Sequence, residues 1–541
     1  MRRFNKVVAV SAAALLAGTS LAACSSDGSG GGDSGDNVIR AFNIEPQNPL
    51  VPTNTNEVGG GRLVDLLFEG LVSYDVKGGV NNAVAEEITP NENATEFNIK
   101  LKEGKTFSDG SPVTANSFVD AWNYGAASEN AQLAQSFFEP IEGFEDVSEE
   151  GATETELSGL EVVSDTEFNV TLSRPTADFP DRLGYSAFSP LPESAYDDMD
   201  AFGENPIGNG PYKLGDEGWV HNESIQLVPN ENYDGEQKPQ NEGIDFRIYS
   251  SMDTAYLDVQ AGQLDLMDYR VPSQNYGTYE SDFPDSNVNQ PAAVFQSFTI
   301  PERLEHWGGE EGKLRRKAIS MAFDRDEITE TIFEGTHTPA VDFTTPAIEG
   351  GGEELENSDV LQYNPEEAKK LWAEADKMSP FSGSLDIAYN ADGDHQAWAE
   401  AVTNQIRETL GIESEGASVP TFQQIRDDVT DRTIETAFRT GWQADYPSTM
   451  SFLTDLYRTD AGANDGDYSS KEFDKLIDEA GSETDEGKRA EIVRDAQNVL
   501  LEDLPAIPLW YSNVSTAWNP ELKNVEYNWK SEPVYTQITK N

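Results

Sequence analysis

The sequence has little cysteine, little histidine and little positive charge. Its 541 residues include one Cys and four His, and 37 Lys and Arg face 98 Asp and Glu, which gives a formal net charge of −61 at pH 7. A single cysteine excludes an internal disulfide, and the histidines lie too far apart in the sequence to form a zinc motif. Because the surface is strongly acidic, nucleic acid and anionic lipid are excluded as partners.

Long apolar runs and catalytic motifs are also missing beyond the N-terminal segment. No later stretch approaches the eighteen or so apolar residues that a membrane-spanning helix needs. There is no H-E-x-x-H pair and no G-x-S-x-G elbow, and residues 30–35 match the dinucleotide pattern G-x-G-x-x-G without the strand and helix that it requires. We therefore expect no cofactor and no enzymatic activity. The alternative of a different class is a secreted hydrolase on an unrelated fold.

The single cysteine, Cys24, ends a segment with the layout of a secretory signal. Three basic residues precede an apolar run over residues 7–17, and small residues lead up to the cysteine. The stretch LAAC at 21–24 resembles the lipobox of bacterial lipoproteins, which implies cleavage before Cys24 and lipidation of its thiol. A chance cysteine beside an ordinary signal-peptidase site is the alternative, and the two N-terminal arginines leave Sec and twin-arginine export both open.

We predict two parts within residues 1–36. Residues 1–23 form the lipoprotein signal peptide, and residues 24–36 form a tether. The tether consists almost entirely of Gly, Ser and Asp after the cysteine, so we expect a flexible coil of roughly 20 Å from end to end. It would hold the folded part of the chain near its anchor.

The remaining sequence indicates a mixed α/β protein with several lobes. Alternating apolar and polar residues predict strands at 97–101 and 168–173, and helical spacing predicts helices at 314–323, at 364–375 and from Thr114 onward. A chain of this length with 37% hydrophobic residues buries two or three cores rather than one. These patterns indicate a mixed α/β fold class, but they do not indicate a function.

Seven stretches, in order along the chain, resemble the extracytoplasmic peptide-binding proteins of ABC importers, solute-binding family 5. Together they span nearly the whole chain after the tether, and the lipobox is independent support. The stretches are LFEGLVSYD (67–75), FSDGSPVTANSFVDAW (107–122), IGNGPYKL (207–214), LRRKAISMAFDRDEI (314–328), YNPEEAKKLWAEA (363–375), FRTGWQADYPS (438–448) and LPAIPLWY (504–511).

This resemblance implies a periplasmic-binding-protein-like fold of type II, cluster C. In that fold two lobes close on a ligand, a third domain is added, and the chain crosses between the lobes twice. On this template the ligand lies between lobes I and II. Lobe I is residues 37–70, 208–291 and 511–541, the extra domain is residues 71–207, and lobe II is residues 292–510.

The stretch from Arg439 to Asp445 has a charge pattern that suits a peptide. A strand's period of two places Arg439, Gly441, Gln443 and Asp445 on one face, with the two charges roughly 20 Å apart if the strand is straight. A zwitterionic peptide needs a carboxylate for its ammonium and an arginine for its carboxylate. Gly441 would let the peptide backbone approach closely enough to pair as an added strand.

The family resemblance assigns roles to several of these residues. The aspartate that binds the ligand's α-ammonium matches Asp445, and an arginine that reaches peptide carboxylates matches Arg439. Two further carboxylate-binding positions fall at His395 and, after an insertion, at Arg426, with Arg432 as the competitor of Arg426.

Several positions leave alternatives open. His395 is either a carboxylate-binding residue or a solvated residue at the start of a helix, and Arg439 and Asp445 either bind the ligand or form an exposed pair on a lobe surface. Trp442 and Tyr446 are either core residues or a shelf for the ligand.

The glutamate that some members carry ahead of LFEG is not cleanly matched, because Asn56 falls near that position and Glu57 lies next to it. The N-terminal pocket for the ligand is therefore in doubt.

The resemblance implies a lipid-anchored receptor, not an enzyme, on the outer face of the cytoplasmic membrane. We expect a monomer that captures short peptides and delivers them to the transmembrane subunits of an ABC permease with cytoplasmic ATPases. Its contact with the membrane would be the lipid anchor alone. The alternative within the family is a receptor for another solute, such as an oligosaccharide, a metal chelate or haem.

Overall fold

The computed structural model describes residues 37–149, 151–267, 270–391, 393, 395–459 and 461–540. The predicted signal peptide, the tether and Cys24 fall outside these residues and stay predictions. Among the described helices, none combines the length and apolar character needed to cross a bilayer. Strands and helices alternate, and within the described part of the chain they build sheets of four, four and six strands with two further strand pairs.

The first four-stranded sheet joins segments that are far apart in the chain. Alternate side chains point into its core, as the full burial of Ile39, Ala41, Ile225 and Leu227 shows. All of its strands fall in the ranges predicted for lobe I. In spatial order they are Val38–Asn43, Gly243–Ile248, Ser224–Pro229 and Tyr212–Val220, the first pair parallel and the others antiparallel.

The second four-stranded sheet confirms two predicted strands and one predicted helix. The helix Ala115–Ala126 begins after Thr114, whose main-chain N–H donates to the Ser117 Oγ at 3.1 Å. This sheet shares one continuous apolar core, the first core, with the first sheet. Its antiparallel strands are, in spatial order, Ala85–Pro90, Glu96–Leu101, Glu167–Thr171 and Leu160–Ser164.

Two of the seven recognised stretches meet at the joint between these sheets. The Asn209 amide accepts from the Glu69 N–H at 3.0 Å and donates to the Glu69 carbonyl at 2.8 Å. A Cβ at Gly208 would lie 1.9 Å from the Leu67 carbonyl oxygen, and one at Gly210 would lie 2.6 Å from the Leu67 carbonyl carbon. The glycines of IGNG are therefore needed for close backbone packing against LFEG.

The six-stranded sheet carries a separate second core, made mostly of residues 293–511. The predicted helix around 364–375 is confirmed as Pro365–Met378, with the Asn364 side chain accepting from the Glu367 N–H at 3.2 Å. The prediction at 314–323 is confirmed as Gly309–Ser320. In spatial order the strands are His337–Pro339, Ala506–Ala517, Asn287–Thr299, Ala437–Gln443, Ile387–Asn390 and Gly416–Val419.

Two long antiparallel strands of this sheet, Asn287–Thr299 and Ala506–Ala517, run beyond the second core, and we call them the hinge strands. Ala292 and Val514 lie in a separate small cluster, and Ala517 belongs to another cluster with Phe42 of the first sheet.

The pairing of the hinge strands is interrupted between Pro291 and Phe295, where the register shifts. The predicted crossings at 291/292 and 510/511 fall at this interruption. A register shift of this kind bends a strand pair. The domain boundaries themselves stay predictions.

In the second core one buried arginine joins two other recognised stretches, and a second one bonds to the residue just before LPAIPLWY. Arg325 donates to the Pro508 carbonyl through Nε at 2.9 Å and Nη2 at 2.7 Å. Arg316 donates to the Asp503 carbonyl through Nε at 3.1 Å and Nη2 at 2.8 Å. These motif arginines hold the fold together rather than facing a ligand.

The remaining elements connect and cover the sheets. The other helices are Val58–Leu67, Phe144–Ser148, Phe179–Arg182, Met199–Glu204, Met252–Gln260, Tyr279–Asp282, Arg325–Thr331, Gln396–Leu410, Phe422–Thr430, Met450–Tyr457, Lys471–Ser482 and Glu486–Asp503. The short 3-10 helices are Pro52–Asn54, Ser128–Asn130, Gln135–Phe138, Ser186–Phe188, Glu193–Asp197, Ser273–Asn275 and Ser358–Leu361. The two strand pairs are Val72–Tyr74 with Val80–Asn82, and Leu522–Lys523 with Thr539–Lys540.

Candidate functional site

A cavity of about 610 Å³, the main cavity, is lined by residues from both cores and from the hinge strands. This is a typical volume for a small-molecule site. Its lining includes Asn56, Glu57, Tyr185, Arg270, Val294, Gln296, His337, His395, Gln443, Asp445, Ser512, Ser515, Lys530 and Glu532. Three of the predicted site residues, His395, Gln443 and Asp445, therefore face one space.

Asp445 lies just beyond the end of the strand Ala437–Gln443, and the preceding residue fixes its backbone. The Ala444 N–H donates to the Ala293 carbonyl at 3.0 Å, on the neighbouring hinge strand. Burial raises the pKa of the Asp445 carboxyl to about 6, while the Lys530 charge lowers it. No described residue makes a hydrogen bond or ion pair to this carboxylate. It is thus a mostly ionised acceptor at neutral pH, open to a ligand's donor.

Lys530 is a charged cavity residue that sequence reasoning missed. Its ammonium donates to Asp65 at 2.6 Å and lies 3.8 Å from Glu532. Burial lowers the pKa of Lys530, but the Asp65 and Glu532 charges outweigh burial and raise the pKa above its ordinary value. Lys530 is therefore a fixed cation beside Asp445, held by its own carboxylates.

The strand Ala437–Gln443 lies beside the hinge strand Asn287–Thr299. Arg439, Gly441 and Gln443 pair with Phe298, Gln296 and Val294 on the hinge strand. Asp445 follows after the strand has ended, so the distance predicted for a straight strand does not apply to it. Gln443 lines the main cavity, whereas Arg439 and Gly441 line a second cavity of about 290 Å³.

Two of the three predicted arginines, Arg439 and Arg426, line this second cavity, and all three contact other residues of the protein. Arg439 donates from Nε to the Asn390 Oδ1 at 2.9 Å, and its guanidinium lies 4.8 Å from the centre of the Phe422 ring. Arg426 lines the second cavity and pairs with Asp465 at 2.7 Å. Arg432 is not part of either cavity lining and lies 3.1 Å from Asp467.

The two aromatic residues near Asp445 lie outside the main cavity. Trp442 lines the second cavity with a partly buried ring. Tyr446 is 2% exposed, and the Arg182 guanidinium lies 4.9 Å from its ring centre. This placement favours a core role for Tyr446 over a ligand shelf.

Glu57 and His395 line the main cavity, and each side chain already makes hydrogen bonds within the protein. The Glu57 carboxylate accepts from the N–H groups of Gly59 at 2.7 Å and Gly60 at 2.8 Å, because Glu57 is the N-cap of the helix Val58–Leu67. The Nδ1 of His395 accepts from the Trp398 Nε1–H at 3.1 Å.

Four aromatic side chains, here called the aromatic wall, also line the main cavity and were missed by sequence reasoning. Phe333 lies 3.9 Å from the His337 ring and 4.9 Å from the Trp510 ring, and Trp398 lies 5.6 Å from Trp510. Burial, assisted by the charge of Arg270, lowers the pKa of His337 to about 3. The wall is therefore uncharged at neutral pH. Within the described residues no group of His, Cys, Asp and Glu side chains could hold a metal ion.

Comparison with known proteins now identifies the family. The family model for bacterial extracellular solute-binding proteins, family 5, middle region, matches residues 79–464, more than half of the chain. The chain belongs to this family. The family consists of substrate-binding proteins of transporters, not enzymes. The resemblance of the seven stretches is therefore confirmed.

Individual relatives cover nearly the same length as this chain. The periplasmic oligopeptide-binding protein OppA of Salmonella typhimurium is 29% identical over 459 residues, which are 82% of this chain and 81% of that protein. The oligopeptide-binding protein OppA of Bacillus subtilis is 25% identical over 516 residues, 92% of each chain. The structure of Haemophilus influenzae OppA in complex with RPPGFSPFR covers 94% of this chain and 99% of its own, with a TM-score of 0.74 and 23% identity. The two-lobed α/β fold is thus confirmed.

Proposed function

We propose that this family 5 protein is the receptor of an ABC importer and captures short peptides in its main cavity. The observation that carries the proposal is the Asp445 carboxylate, which no described side chain satisfies and which faces a cavity of about 610 Å³ between the two cores. An α-ammonium group supplies the donors and the charge that such a carboxylate needs. Relatives named as oligopeptide-binding proteins support a peptide as the ligand.

Capture would proceed in two steps. The ligand's ammonium binds Asp445, and its backbone lies along Gln443 and Gln296, whose amide groups can donate and accept hydrogen bonds. The lobes then close by bending at the interruption of the hinge strands between Pro291 and Phe295, a shift toward a conformation that the ligand stabilises.

Native mass spectrometry of freshly purified protein tests the ligand class. We expect added masses that denaturation releases as short peptides, because a closed cleft retains its ligand through purification. Asp445→Asn protein prepared in parallel is the control and should carry less of this peptide. A released oligosaccharide, metal chelate or haem would contradict the peptide assignment in favour of the other solute classes of the family.

Anchoring and delivery form the second half of the proposal. We propose that the lipid on Cys24 holds the receptor at the outer face of the cytoplasmic membrane, where it meets the permease subunits and their cytoplasmic ATPases. The support is the lipobox at 21–24 and the Gly/Ser/Asp tether that follows it. The receptor would act there as a monomer.

Replacing the lipidated residue should release the protein. Cys24→Ala removes the thiol that carries the lipid, so we expect the protein to move from the membrane fraction to the culture medium. Immunoblotting of both fractions measures this, with Ser25→Ala as the matched neighbour that keeps its anchor. Membrane retention of Cys24→Ala at the level of Ser25→Ala would contradict lipidation.

A further inference from the structure

Lys530 and Asp445 line the same space, although they come from segments far apart in the sequence. Both border the main cavity and a third cavity of about 320 Å³ that shares these residues with it. After burial, Lys530 has the largest effect on the pKa of Asp445, which it lowers. An ammonium group that belongs to the protein itself therefore lies near the carboxylate that we propose for the ligand's ammonium.

The backbones of both residues are fixed through Ala293 of a hinge strand. The Ala293 N–H donates to the Trp529 carbonyl at 3.1 Å, and the Ala293 carbonyl accepts from the Ala444 N–H at 3.0 Å. Trp529 belongs to the second core, and its ring centre lies 5.5 Å from that of Tyr74. Because these backbone positions are set, the direction of the flexible Lys530 side chain decides which carboxylate its ammonium meets.

Asp65 is the carboxylate that holds this ammonium. The Lys530 Nζ donates to the Asp65 Oδ2 at 2.6 Å, whereas Glu532 lies 3.8 Å away, which is too long for a hydrogen bond. Asp65 lies on the helix Val58–Leu67, which packs into the first core through fully buried apolar side chains. The helix keeps Asp65 in place, and its carboxylate keeps the lysine side chain away from the ligand site.

We propose that Asp65 keeps the ammonium site at Asp445 vacant by holding Lys530, an inference that rests on the proposed function. A buried carboxylate without a partner is costly. Without the Asp65 carboxylate, Lys530 would lose its hydrogen bond and gain one at Asp445. It would then compete with the ammonium of every peptide from within the protein, at the millimolar effective concentration that a short flexible link gives. Asp65 is thus a positioning residue, which acts on peptide binding through Lys530.

Calorimetric titration of wild type and Asp65→Asn with a free and an N-acetylated peptide tests the proposal, at about pH 7.5, where an α-ammonium is still mostly protonated. We expect Asp65→Asn to bind the free peptide about 10- to 100-fold less tightly, the range of a hydrogen bond between charged groups. It should bind the acetylated peptide no less tightly than wild type, because Lys530 then supplies the partner that Asp445 lacks. Asp65→Ala removes the carboxylate in another way and should give the same pattern.

A second substitution in the same protein separates competition from structural damage. The double variant Asp65→Asn with Lys530→Gln lacks the competing ammonium, so it should recover most of the lost affinity for the free peptide. Asp75→Asn is the matched control, because Asp75 is an exposed carboxylate of the third cavity that accepts from the N–H groups of Lys77 and Gly79. This control should keep both affinities of wild type.

Three results would overturn the role of Asp65. They are an unchanged affinity of Asp65→Asn for the free peptide, an equal loss for the free and acetylated peptides, and no recovery in the double variant. Each of these leaves peptide binding by wild type, and with it the proposed function, intact. Absence of peptide binding by wild type overturns the proposed function instead. The circular dichroism melting curve of each variant verifies that its fold is retained.

Discussion

Acetylating the N-terminus of a bound peptide is expected to weaken its binding by about two to four orders of magnitude. Acetylation removes the ammonium but leaves the backbone and side chains, so Asp445 would be enclosed by the closing lobes without a partner. An uncompensated member of a buried pair costs about 3–5 kcal/mol. Lys530 does not replace the ammonium, because Asp65 holds it at 2.6 Å. Calorimetry with free and acetylated peptide measures the difference.

Substitution of Asp445 completes a double-mutant cycle on the interaction between its carboxylate and the peptide's ammonium. Asp445→Asn should bind the free peptide less tightly than wild type and should distinguish it less from the acetylated peptide, because the unpaired charge is gone. Asp181→Asn is a matched control: burial also raises the pKa of Asp181, to about 7, but this carboxylate is not part of the main cavity lining. It should keep the discrimination of wild type. Equal binding of both peptides by wild type would contradict the ammonium site and favour a non-peptide solute.

Secondary structure could be predicted where local physics determines it. The helix Pro365–Met378 was predicted from an N-cap asparagine followed by proline, and the strand Glu96–Leu101 from its alternation. The strand that carries Arg439, Gly441 and Gln443 is likewise present, at Ala437–Gln443. Each of these patterns lies within a few consecutive residues, so the local sequence is enough to predict the element.

The rest of the cavity could not be predicted because remote segments build it. Lys530 bonds to Asp65, 465 positions away in sequence, and no period or motif relates them. Sequence reasoning placed Arg439 and Asp445 on one face of one strand, as the two charges that the ends of a peptide need. In the structure Asp445 follows the strand's end, and the two charges line different cavities.

Replacing Arg316 by methionine is expected to destabilise the second core by about 3–5 kcal/mol, the usual cost of removing one partner from a buried charged network. Arg316 is fully buried, donates to the main-chain carbonyls of Trp307 and Asp503, and lies 3.0 Å from Glu302. Methionine fills similar volume but donates no hydrogen bond. The carbonyls and the partly buried carboxylate then lose their donors without gaining water.

Urea unfolding followed by tryptophan fluorescence measures this cost, since Trp307 and Trp372 lie in the same core. Arg494→Met is the matched control on the helix Glu486–Asp503. Its guanidinium is 39% exposed and 4.0 Å from Glu353, so the substitution should change the free energy of unfolding by no more than about 1 kcal/mol. If Arg316→Met were equally mild, the carbonyls of Trp307 and Asp503 would have to find water or new donors. The recognised stretch around Arg316 would then owe its sequence to something other than the stability of this core.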